Sequence, residues 1–147
     1  MNKQKTILLT FTIVVIGLLI PIVPRLVVPL IWPYPYDDPF FAADTTRIGL
    51  LLAWNALPFA LLALVTYIAL TQRAAVGRPQ ATVLVGVLGA LIIGLVTGLW
   101  IHTPNTNTVG FNFGVAFFPL YMLVLMPAGF GFGALLVWLA RLLGVEV

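Results

Sequence analysis

"ATVLVGVLGALIIGLVTGLWI", residues 81–101, decides the fold. The stretch carries no ionisable side chain, and as a helix rising about 1.5 Å per residue it measures about 30 Å, the hydrocarbon thickness of a bilayer. A transmembrane barrel strand would be shorter and would alternate apolar with polar residues. This run is apolar throughout, so it reads as a membrane-spanning helix.

Three further runs of the same kind surround it. They are "TILLTFTIVVIGLLIPIVP" (6–24), "IGLLLAWNALPFALLALVTYIALT" (48–71) and "GVAFFPLYMLVLMPAGFGFGALLVWLA" (114–140). The whole chain of 147 residues is 62% hydrophobic and 7% charged, where soluble domains carry about a quarter of charged residues. The expectation is an all-α membrane protein in which four transmembrane helices form one antiparallel bundle. Residues 25–47 and 102–113 form the loops at one end and 72–80 the loop at the other. The two helical hairpins share no motif that would mark a duplication, so the chain reads as a single domain.

The loops sort the charges. Lys3, Lys5, Arg73, Arg78 and Arg141 fall at one end, whereas Arg25 and Arg47 share the other with Asp37, Asp38 and Asp44. By the positive-inside rule both termini are cytoplasmic. Trp32, Trp100 and the phenylalanines of 111–118 then mark the outer interface, and Tyr67 and Trp138 the inner one. The first run begins like a secretory signal but lacks a small-x-small cleavage site before Pro21, so it reads as an uncleaved anchor. Nothing in the sequence addresses the chain to an organelle, and a prokaryotic plasma (inner) membrane suits the charge bias.

After the first run, "PIVPRLVVPLIWPYPYDDP" (21–39) concentrates prolines that end regular helix. Arg25 reaches the headgroups by snorkelling. "LVVPLIW" is too short to cross again, so it is expected to lie in the interface, with Asp37 and Asp38 turned to water.

Lipid gives helices no hydrophobic drive to associate, so close backbone approach along small residues matters. Gly86, Ala90, Gly94 and Gly98 recur every four residues in the third run, and Gly129 and Gly133 do so in the fourth. Packing between helices of this chain explains both stripes; a seam for another subunit is the sharper reading. Pro58, Pro119 and Pro127 lie inside runs and predict kinks. Asn55, one turn before Pro58, is the amide set deepest in a run, suited to satisfying the kinked backbone or to meeting a solute.

The chemistry is bounded mainly by exclusion. With no cysteine, thiolate metal sites, iron–sulfur clusters, disulfides and cysteine-linked lipids are ruled out. The seven basic residues are scattered rather than clustered along one stripe, which argues against nucleic acid as a partner. No ionisable residue lies centrally in any run, so proton- or ion-coupled transport by one copy is not expected. His102 is the single histidine; bis-histidine haem is excluded, and one axial bond to haem or chlorophyll is the remaining pigment reading. No cofactor is required.

Asp37, Asp38, Asp44 and His102, with the amides of "HTPNTNTVGFNF" (102–113), form the one set suited to a divalent cation or to hydrolysis, but they follow no recognised motif. The leading expectation is a non-catalytic accessory or structural subunit of a larger membrane complex, in contact with lipid and with other membrane subunits. A self-associating passive channel or permease is the second reading, and a metal-binding or hydrolytic outer site the third.

Overall fold

The computed structural model describes residues 3–23, 26–27, 45–76, 79–102 and 113–145. Among these the chain is all-α, with four helices: α1 (Lys3–Leu19), α2 (Thr45–Ala75), α3 (Ala81–His102) and α4 (Phe113–Leu142). Segments 52–75, 81–101 and 117–142 of α2, α3 and α4 are long and apolar enough to cross a membrane. The chain is a multi-pass helical membrane protein.

Lipid offers no hydrogen bonds, so each helix must satisfy its own polar groups. The threonines do so locally. Thr10 donates to the Thr6 carbonyl at 3.1 Å, Thr12 to Leu8 at 2.9 Å, Thr66 to Leu62 at 2.6 Å and Thr71 to Tyr67 at 2.8 Å. This back-bonding lets β-branched polar residues sit in apolar helices without an orphaned hydroxyl.

The first helix departs from the expected span over 6–24. Regular α-helix stops at Leu19 after 17 residues, about 25 Å and short of the hydrocarbon thickness. The reason is Pro21, which has no N–H to donate. Ile20 N–H still reaches Ile16 at 3.0 Å, but Ile22 N–H turns back only to Leu19 at 3.0 Å, and one further helical bond joins Leu26 to Ile22 at 3.1 Å. Length therefore supports three spans, with α1 as a shorter fourth helix.

Two other boundaries move. The loop expected over 72–80 starts later, because α2 runs on through Ala75; Gln72, Arg73, Ala74 and Ala75 are all good helix formers. Gln80 then caps α3, its carbonyl accepting from Val83 and Leu84 at 3.0 Å each. At its far end α4 closes on Gly144, whose φ of +76° suits glycine. Gly144 N–H meets the Arg141 carbonyl at 3.1 Å and Val145 N–H meets that of Ala140 at 2.9 Å, the paired bonds of a Schellman cap.

α3 packs most extensively against α4 and α1 against α2, while α2 makes fewer contacts with α4 and α3. The chain is thus two hairpins set side by side. Opposed residues fix the directions. Gly86 meets Phe130 and Gly94 meets Met126, so α3 and α4 are antiparallel. Gln80 Nε2 donates to the Leu70 carbonyl at 3.4 Å while Gly94 faces Phe59, so α2 and α3 are antiparallel too. Gly17 lies against Phe59, and Ile20 against Gly98. The α1 numbers therefore rise with those of α3, which sets α1 antiparallel to α2.

Candidate functional site

Phe59 is the meeting point of the four helices. It is fully buried one residue after Pro58. A Cβ built on Gly17 of α1 would stand 2.7 Å from the Phe59 Cβ, and one on Gly94 of α3 would stand 3.2 Å from its ring. From α4, the Phe118 ring stacks on it with centroids 6.4 Å apart and planes 22° from parallel. Ile13, Ile20, Ala63, Val87, Ala90, Met122 and Met126 extend this core along the bundle.

The glycines are placed where backbones approach. A Cβ on Gly129 would come 2.7 Å from the Gly89 carbonyl oxygen, and one on Gly89 would strike the Gly129 carbonyl. Gly133 faces the Val85 carbonyl and, at 3.0 Å, the Gly86 Cα; Gly86 itself faces the Phe130 ring at 2.8 Å. Gly94 lies against Met126 and Gly98 against Ile20 and Phe118. Ala90 is fully buried. Each of these neighbours belongs to the same chain.

Asn55 is fully buried, and with Thr6 and Thr66 it makes up the buried polar set of the described residues. Every buried side-chain nitrogen and oxygen among them has a hydrogen-bond partner, Asn55 included. A satisfied amide one turn before a proline inside a helix accounts for itself without a ligand.

The outer polar set is placed differently. Arg25, Asp37, Asp38 and Asp44 lie outside the described residues. His102 closes α3, and its side chain also lies outside the described set. No group of three or more His, Cys, Asp or Glu comes together among the described residues.

Sequence reasoning missed Gly17, Gly89 and Phe59. Gly17 is isolated in its run and forms no stripe, so its role depends on a partner distant in sequence. Gly89 breaks the four-residue period followed from Gly86, yet three residues is also a same-face step on a helix. Counting that step would have found it. Comparison of the chain with protein-family models, with curated proteins and with solved structures gives no match.

Proposed function

We propose that the chain is a non-catalytic accessory or structural subunit of a larger membrane assembly. The observation that carries this reading is the division between interior and surface. The buried interior contains no ionisable side chain among the described residues. By contrast, 33%, 33% and 28% of the apolar windows of α2, α3 and α4 are buried within the chain. Long apolar helix faces are left over, suited to lipid and to neighbouring subunits.

Asn55 and Thr66 point into the chain's own core, which weighs against their lining a pore between copies. In the proposed arrangement α1 crosses the bilayer as a fourth span, extended by the helical bond from Leu26 to Ile22, and both termini lie in the cytoplasm. Gentle detergent extraction from the native membrane, followed by identification of co-purifying chains, tests the subunit reading. Stoichiometric partners are expected; migration as a lone chain under those conditions would overturn it.

A further inference from the structure

We propose that one end of the bundle binds the phosphates of anionic phospholipids. The packing collects four cations there. Gly17 lies against Phe59 in an antiparallel pair, so 14 residues back along α1 and 14 forward along α2 bring Lys3 level with Arg73. Lys5 is on the same first turns of α1. In the other hairpin, the Gly86–Phe130 and Gly94–Met126 pairs bring Trp138 level with the start of α3 and Arg141 about one turn beyond it. Gln80 at that start reaches the Leu70 carbonyl of α2. Lys3, Lys5, Arg73 and Arg141 therefore lie at one end, within about two helical turns of each other, on both hairpins.

Charge and exposure favour phosphate. Lys3, Lys5 and Arg141 are exposed and Arg73 is half-buried. Arg73 donates one Nη1 bond to the Pro79 carbonyl at 3.0 Å, and a guanidinium has five N–H groups in a fork that fits phosphate. Three of the chain's four acidic residues, Asp37, Asp38 and Asp44, are placed by the sequence between α1 and α2; Glu146 alone follows α4. Beside the cations, Trp138, Leu142 and Leu143 are exposed, giving an apolar collar that meets acyl chains while the charges meet headgroups. Juxtamembrane cations of this kind concentrate anionic lipid, and the attraction decays within a Debye length.

Trp138, one turn before Arg141, is a reporter at this end. The test places the chain with Trp32→Phe, Trp54→Phe and Trp100→Phe in phosphatidylcholine vesicles containing phosphatidylglycerol, with one or the other lipid brominated. Quenching of Trp138 is expected to show a roughly 3- to 10-fold preference for the anionic lipid at low salt, falling below about 2-fold at 0.5 M salt. The same fall is expected from Lys3→Gln, Lys5→Gln and Arg141→Gln together. Equal quenching by the two lipids at low salt, or a preference that survives the three charge substitutions, would overturn the proposal. The unaltered chain gives a second reading that does not depend on the tryptophan variants. After delipidation by dilution, its retained lipid should be enriched in phosphatidylglycerol over the vesicle composition, and unchanged composition would count against the site.

Discussion

Residues 129–133 of α4, "GFGFG", contain a built-in comparison. Gly133 faces α3, with the Val85 carbonyl and the Gly86 Cα in the way of any added methyl, the latter at 3.0 Å. Gly131, two residues away, has nothing within 4 Å. Gly133→Ala must push the two helices apart, because the obstructing atoms are backbone and have no rotamer to adopt. A gap of 0.5–1 Å forfeits a quarter to a half of each dispersion contact; for roughly 30 atom pairs of about 0.15 kcal/mol, a third lost is about 1.5 kcal/mol. That agrees with the usual overpacking cost of about 1–3 kcal/mol. Gly131→Ala adds a methyl in open space and reduces unfolded-state freedom, so it should stabilise by about 0.5 kcal/mol. The same gain offsets part of the cost at Gly133, so the two alanine variants should differ by about 1.5 kcal/mol, a factor of about 13 in the folding equilibrium. Reversible unfolding in mixed detergent–SDS micelles, followed by tryptophan fluorescence, would measure it. Variants within 0.5 kcal/mol of each other would refute the close α3–α4 approach.

Phe59→Ala removes about 100 Å³ of ring; at about 24 cal/mol per Å³ the cavity costs about 2.4 kcal/mol, and loss of the stack on Phe118 adds about 0.5–1 kcal/mol. The same unfolding assay checks this against Val96→Ala, where the side chain is 65% exposed and a change below about 0.5 kcal/mol is expected. Gly144→Ala should cost about 1 kcal/mol because alanine resists the positive φ of the α4 cap, read as a lower midpoint and earlier proteolysis of the C-terminal turn. The cysteine-free chain also suits labelling. Gln4→Cys and Val145→Cys should react with an impermeant maleimide from the same side of the membrane, and Thr106→Cys from the other; termini on opposite sides would mean that α1 does not cross.

What the sequence disclosed follows from which forces are local. The third apolar run matches a structural segment residue for residue, 81–101, because polar Gln80 precedes it and Trp100 and His102 mark its other end. The first run misled at its end. Hydropathy carries the reading through to Pro24, whereas hydrogen bonding stops regular helix at Leu19, and Pro21 makes the difference. Over 72–80 polarity suggested a loop, and the first four residues stay helical, because leaving the lipid does not oblige a helix to end while its residues favour it. The candidate site was legible only in part. Glycine spacing drew attention to α3 and α4, while Phe59 resembles any other apolar residue until the partners opposite Gly17, Gly94 and Phe118 are known. Long-range pairing carries no periodic signature, and that is where the bundle's central contact is made.

The placement of Phe59 has a consequence for how the hairpins are joined. Within the second hairpin, α3 and α4 meet backbone to backbone at Gly89, Gly129 and Gly133, a contact that tolerates no sliding without losing its fit. Between hairpins the contact is sparser, and it is centred on one ring lodged between Gly94 and Phe118. A ring against a glycine and another ring leaves no hydrogen-bond register to fix the relative tilt. Gln80, which reaches Leu70, ties α2 to α3 toward the basic end, and Ile20, lying against Gly98, packs α1 on α3 toward the other. The hairpins are therefore joined on both sides of Phe59 by side chains, whereas α3 and α4 are joined backbone to backbone, so substitutions at Phe59 should loosen the union of the hairpins before they loosen the second hairpin itself.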